Sequence, residues 1–211
     1  MKTRFQFAIA AAVAVVLFVI VSSGHAGEND EEGWITLFNG KDLTGWKIGG
    51  PEECFEVEDG VIVVNGPPSH LFTEQEFSDF DFKAEVMTKP GSNSGIYFHT
   101  KYQESGFPSK GYETQVNVTH TDPVKTGSLY NIVKIFETPA CDCQWWTQEI
   151  SVRGRRMTVK INNQVIYEYV EPENVDRNLR PAEGSFALQA HDPNSVVYFR
   201  NIRVKPVAKK K

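Results

Sequence analysis

The chain has 211 residues, 22 basic and 27 acidic side chains and a formal charge of −5. This balance argues against a nucleic-acid partner, because phosphate binding calls for a basic surface; the Lys209 to Lys211 end reads as a solvated terminus. Three cysteines are too few for a disulfide scaffold or a four-ligand zinc site, and an odd count leaves at least one thiol free or bonded to another molecule.

In chain order, Lys2 and Arg4 precede an apolar run from Phe5 to Val21, and Gly24 and Ala26 follow as small residues. That is the pattern of a secretory signal, residues 1–26. A retained anchor is the alternative, since the run nearly spans a bilayer. Cleavage after Ala26 leaves 185 residues with 20 basic and 27 acidic side chains, and no further membrane span. The expectation is an exported protein, periplasmic or extracellular. A short acidic leader (27–32), one domain (33–205) and a basic tail (206–211) follow.

Trp34 to Phe38 is a short strand candidate, and Trp46 returns to an apolar setting after the Thr44-Gly45 turn. Phe55 to Glu58 and Val61 to Val64 flank Asp59-Gly60, a strong hairpin turn. Phe80, Phe82, Ala84 and Val86 alternate with Asp81, Lys83 and Glu85. Two segments then carry polar groups with period two, Asn93 to His99 and Tyr112 to Asn117. Successive strand side chains point to opposite faces, so Asn93, Gly95, Tyr97 and His99 are expected on one side. Glu113, Gln115 and Asn117 share a side of the second segment. If the two strands pair, these groups line one patch. Thr119 to Tyr130 reads as a loop over an end of the sheet, and Asn117-Val118-Thr119 is a poor glycosylation sequon on a regular strand. Later strands are read around Ile150, over Met157 to Ile161, at Val165 to Tyr167, at Phe186 to Ala190 and over Val196 to Val204. Arg153 to Arg156 is a solvated turn. Two long loops, Tyr102 to Gly111 and Val170 to Glu183, exceed ordinary hairpin connections. No window beyond the signal has helical periodicity, which points to an all-β antiparallel sandwich or barrel.

Leu37-Phe38-Asn39-Gly40-Lys41-Asp42-Leu43-Thr44-Gly45-Trp46 resembles the opening of the 3-keto-disaccharide hydrolase domain family. Asn93 to Phe98, Gly111 to Val116, the Trp146 segment and Phe199 to Val204 resemble its later blocks in the same order. The chain departs from the family pattern at His99, Thr147 and Asp192. The resemblance implies a concanavalin-A-like jelly-roll sandwich of two antiparallel sheets. It also implies an exported, carbohydrate-linked hydrolase acting on glycosides oxidised to a ketone at C3, with a divalent metal cation as cofactor.

Glycosidases that displace directly at the anomeric carbon need two carboxylates. Glu113 is one, but positions 111 and 115 are Gly and Gln, so a second acid on that face is missing. A 3-keto sugar permits another route: a base removes the acidified C2 proton, the C1 oxygen leaves, and water adds. The candidates are Glu113 and His191 as base or metal ligands, and His99 as acid or base because imidazole titrates near neutrality. Tyr97, Gln115 and Gln189 would bind hydroxyls, and Lys134 would stabilise negative charge. Trp46 and Trp146 read as core residues, with stacking on a sugar as the alternative. A non-catalytic carbohydrate-binding domain is the competing function.

Overall fold

The computed structural model describes residues 32–207. The secretory signal expected over 1–26, the leader to residue 31 and the last four residues of the tail lie outside that range. The described residues contain thirteen strands and one 3₁₀ turn, Glu52–Cys54, and no helix long and apolar enough to cross a membrane.

The strands form two antiparallel sheets. The larger holds β1 (Ile35–Thr36), β3 (Phe55–Glu58), β4 (Val61–Asn65), β6 (Phe80–Thr88), β9 (Trp146–Arg153), β10 (Arg156–Ile161), β11 (Gln164–Val170) and β13 (Val196–Pro206). Its order is β11-β10-β9-β6-β13-β4-β3, with β1 also on β13. The smaller runs β2 (Trp46–Gly49), β5 (Ser69–Thr73), β12 (Ser185–Ala190), β7 (Asn93–Thr100) and β8 (Tyr112–Asn117).

Period-two patterning places the core between the sheets. On β6, Phe80, Phe82, Ala84 and Val86 are buried while Asp81, Lys83 and Glu85 face outward. Phe82 stacks on Phe186 of the opposite sheet, with ring centroids 4.4 Å apart. Such aromatic pairs add about 0.5–1.5 kcal/mol beyond their burial. The Asp59-Gly60 hairpin forms with φ of 47° and 79°, the conformation that Asp-Gly supplies at low cost.

The smaller sheet is buried on both faces at β5, β7 and β12. Two loops cover its outer face. The Tyr102 to Gly111 loop crosses β2, where a Cβ on Gly49 would meet the Gln103 carbonyl oxygen at 2.0 Å. The Thr119 to Tyr130 segment, expected to loop over an end of the sheet, instead runs back along the free edge of β8. Thr126, Gly127 and Tyr130 donate their N–H groups to the carbonyls of Asn117, Gln115 and Glu113 at 2.8–3.0 Å. Satisfying that edge also buries Asn117, whose amide donates to the carbonyls of Asp122 and Val124, so it does not serve as a glycan acceptor.

One face assignment is corrected. β7 carries a bulge against β12, because Ser185 pairs with Thr100 while Ala187 pairs with Tyr97. His99 sits at φ 52° within it. An extra residue shifts every following side chain to the other face. His99 therefore leaves the Tyr97 side and packs beside Phe98 and Phe80. The three cysteines are free thiols, Cys54 buried and Cys141 and Cys143 exposed.

Candidate active site

β7 and β8 pair in the register that the polar pattern requires: Asn93 opposite Asn117, Gly95 opposite Gln115 and Tyr97 opposite Glu113. Residues directly opposite share a sheet face. β12 lies on the other side of β7 and brings in Gln189, whose backbone carbonyl accepts the Ser94 hydroxyl at 2.6 Å. Together these side chains floor a cavity of about 480 Å³, within the roughly 300–1,000 Å³ common for small-molecule sites. Tyr97, Glu113, Gln115, Gln189 and His191 line it, and Phe107, Tyr130 and Arg180 stand around its mouth.

Glu113 is the carboxylate at the centre of this floor. Burial pushes its pKa up to about 7; donors on Tyr97 and Gln189 oppose the shift, and the Asp122 charge adds to it. Gln189 Nε2 donates to the Tyr97 hydroxyl oxygen at 2.9 Å, which leaves the phenolic hydrogen free to point at Glu113. The Tyr97 hydroxyl is itself held neutral, first by burial and then by the neighbouring carboxylate. Gln115 Nε2 donates to Asn93 Oδ1 at 2.7 Å. The amide oxygens of Gln115 and Gln189 are buried and find no partner among the described residues. Buried acceptors are normally paired, so a ligand with hydroxyl groups matches this floor.

Beside Glu113, the turn after β12 supplies His191. Its Nδ1 donates to Asp192 Oδ2 at 2.9 Å, and Asp192 is held in turn by the Ser195 hydroxyl at 2.6 Å. These bonds outweigh burial and hold the Asp192 carboxyl below its usual range. With Nδ1 protonated, His191 Nε2 carries a lone pair. His120 Nδ1 accepts the Asp122 N–H at 3.1 Å, a bond that a metal at this nitrogen would displace. Both nitrogens lie 3.4 Å from Asn93 Nδ2. His120, His191 and Asp192 offer ligand atoms within 4.8 Å of one another. Two imidazoles suit a divalent transition metal, and the Asp192 carboxylate behind His191 is the common support of a ligating histidine. This donor group fits the metal that the resemblance implies, with His120 beside His191 where the sequence pointed to Glu113 and His191.

The cavity thus gathers Tyr97, Glu113, Gln115, Gln189 and His191 and leaves out three expected residues. His99 lines a separate small cavity beside Arg155 and Glu171, and its Nε2 lies 2.7 Å from the Ser78 carbonyl. Trp46 is buried in the core, its indole N–H donating to the Leu37 carbonyl at 2.7 Å. Trp146 is likewise a core residue. Lys134 is exposed on the strap along β8. His120 went unread because it lies in a polar turn without a motif. Its one local signal is that turn, in which the Asn117 side-chain oxygen accepts the His120 N–H at 3.0 Å.

Comparison with known proteins gives the family and the fold. The chain is 31% identical to a 3-keto-disaccharide hydrolase of Bacteroides thetaiotaomicron, over 83% of this chain and 79% of that protein. A Parabacteroides distasonis protein assigned as a glycosyl hydrolase superposes with a TM-score of 0.72 at 24% identity, over 84% of this chain and 95% of that one. The carbohydrate-binding module CBM66 of Bacillus subtilis does so at 0.52 and 15% identity, over 81% and 94%. These two likenesses carry the jelly-roll fold. The model of the 3-keto-alpha-glucoside-1,2-lyase-like domain matches residues 33–205. The chain, through almost all of its described length, belongs to that family.

Proposed function

We propose that this protein cleaves 3-keto-glycosides, 3-keto-disaccharides among them, by elimination across C2 and C1 followed by hydration. One observation carries the reading: the Glu113 carboxylate, its pKa raised to about 7, sits on a floor of unpartnered amide acceptors. The ketone at C3 makes the C2 proton removable, and Glu113 is the base that takes it. The electron pair moves first onto the C3 oxygen. It then forms the C1–C2 double bond as the C1–O bond breaks, and the leaving oxygen takes up a proton. Protonated Glu113 is a competent donor at neutral pH because its affinity for the proton is matched to that pH. Water adds across the double bond to restore a 3-keto sugar.

Gln115 and Gln189 orient the ring by accepting hydroxyls. Tyr97 fixes the carboxylate and remains neutral. His120 and His191 would hold the divalent cation, with Asp192 supporting His191 from behind, and when bound the cation supplies a Lewis acid for negative charge on a substrate oxygen. Export to the periplasm or outside, as the signal-like residues 1–26 imply, would place the protein among external carbohydrates.

A binding module is the second reading, favoured by the exposed Phe107 and Tyr130 at the mouth. An assay on 3-keto-disaccharides with added divalent metal, comparing wild type with Glu113→Gln, separates the two. Turnover lost in the variant supports the lyase–hydrolase; saccharide binding without product in the wild type supports the module.

A further inference from the structure

The polar floor does not stop at Gln189. Across β12 and β5, Gln189 pairs with His70, and across β5 and β2, His70 pairs with Gly49. His70 and Gln189 therefore share a sheet face with Tyr97 and Glu113, one row along from the Glu113, Tyr97, Ala187 and Phe72 pairs. Three strand spacings separate β8 from β5, about 14 Å, which exceeds the width of a single sugar ring. His70 is fully buried, yet neither ring nitrogen has a partner among the described residues. An unpaired buried polar group costs roughly 1–3 kcal/mol and calls for an explanation.

The covering over His70 is a loop built to hold itself together. Gln103 Nε2 donates to the carbonyls of Ser105 and Phe107 at 2.5 and 3.0 Å, and its Oε1 accepts the Ser109 N–H at 3.2 Å. Phe107 places its ring edge-on to His70, with centroids 5.8 Å apart, while remaining 49% exposed. The loop meets the body at few polar points, among them the Lys101–Glu76 pair, the Tyr102 hydroxyl on Ile48 and the Gly111 N–H on Leu179. The walls around His70 are the rings of Phe72, Tyr97 and Phe107.

We propose that His70 is the far end of the ligand-binding floor, a subsite for the second ring of a neutral saccharide, and that Lys101 to Gly111 is the lid that uncovers it. The chemistry is specific. A neutral imidazole offers one donor and one acceptor, the complement of a hydroxyl group. Burial holds the His70 ring neutral by pushing its pKa down to about 3. Aromatic walls suit the apolar faces of a sugar ring. The proposal rests on reading the cavity as a saccharide site, and goes beyond it by assigning the second ring a place.

The test uses Glu113→Gln protein, so that ligand binds without turnover, and measures affinity for a 3-keto-disaccharide and for the matching methyl 3-keto-glucoside. Adding His70→Phe is expected to weaken the disaccharide about tenfold, the worth of one good hydrogen bond, and to leave the methyl glycoside unchanged. A disaccharide-to-monosaccharide ratio that does not move overturns the subsite. His70→Phe removes a buried unpaired group, and its thermal midpoint checks that it folds. Lid motion is read separately by diethylpyrocarbonate labelling of His70 with peptide mass mapping. Phe107→Gly is expected to speed labelling at least tenfold, with disaccharide slowing it again; labelling as slow as in wild type overturns the lid. A wild type without turnover but with a His70-dependent ratio sinks the catalytic reading alone. Turnover with an unmoved ratio sinks the subsite alone, and absence of disaccharide binding in every variant sinks the subsite as well.

Discussion

Oε1 of Glu113 occupies the space in which a side chain at position 95 would begin: a Cβ on Gly95 would lie 2.2 Å from it. The glycine is thus a seat for the carboxylate. Gly95→Ala is expected to push Glu113 out of register with Tyr97 and Gln189. Displacements of about 1 Å cost on the order of 100-fold in rate. The expected result is a kcat/KM roughly 100-fold lower with circular dichroism unchanged, and a variant of full activity would show that the seat is irrelevant.

The acidity of Glu113 sets the pH response. A base must be ionised, so kcat/KM should climb with pH and level off above about 7. The stability effect has the opposite sign. The folded protein holds this proton more tightly than the unfolded chain does, so stability is lost as pH rises from 4.5 to about 7. Glu113→Gln should therefore be more stable than wild type at pH 8, by about 1–2 kcal/mol given that the cavity hydrates the carboxylate in part. The gain should vanish at pH 4.5, as read by urea melts at the two pH values.

Metal addition separates two ligand sets. Zn²⁺ or Mn²⁺ at about 100 times its Kd should stabilise the protein by about 2.7 kcal/mol, or roughly 5–10 °C for a domain of this size. His120→Ala and His191→Ala should abolish the shift, and chelation should reverse it. Glu113→Gln should keep the shift if His120 and His191 are the ligands, with Asp192 behind His191. It should lose the shift if Glu113 and His191 share the ion, as the sequence expectation had it.

His99 tests the meaning of the bulge. Its φ of 52° suits Asn far better than a β-branched residue. His99→Asn is expected to keep activity within about twofold, whereas His99→Val should cost about 1–3 kcal/mol of stability through strain. Loss of turnover in a well-folded His99→Asn protein would return this imidazole to the chemistry.

Strand alternation made most of the architecture readable in advance. β3, β4, β6, β7 and β8 fall where apolar and polar residues alternate between turn signals, because a half-buried ribbon imposes period two on its own sequence. The same rule pointed to Tyr97, Glu113 and Gln115 as one patch, and the β7–β8 register shows them on one face. It misplaced His99, because the bulge is set by the pairing of β7 with β12, and a residue count along one strand contains nothing of its neighbour. Lys134 was drawn in by residue type and lies on the exposed strap, whereas Trp46 is held in the core through Leu37, which leaves its stacking alternative unused.

By itself, then, the amino-acid order determined most of the strands, the faces of those that alternate regularly, the family and the central carboxylate, since each of these is written in local spacing or in ordered blocks. Only the tertiary structure decided that His120 stands against His191, that His70 prolongs the floor beneath Phe107, and that the two long loops meet through Gly111 and Leu179. Those relations join segments far apart in the chain, and they depend on strand order, bulge and loop path, which are properties of packing between elements.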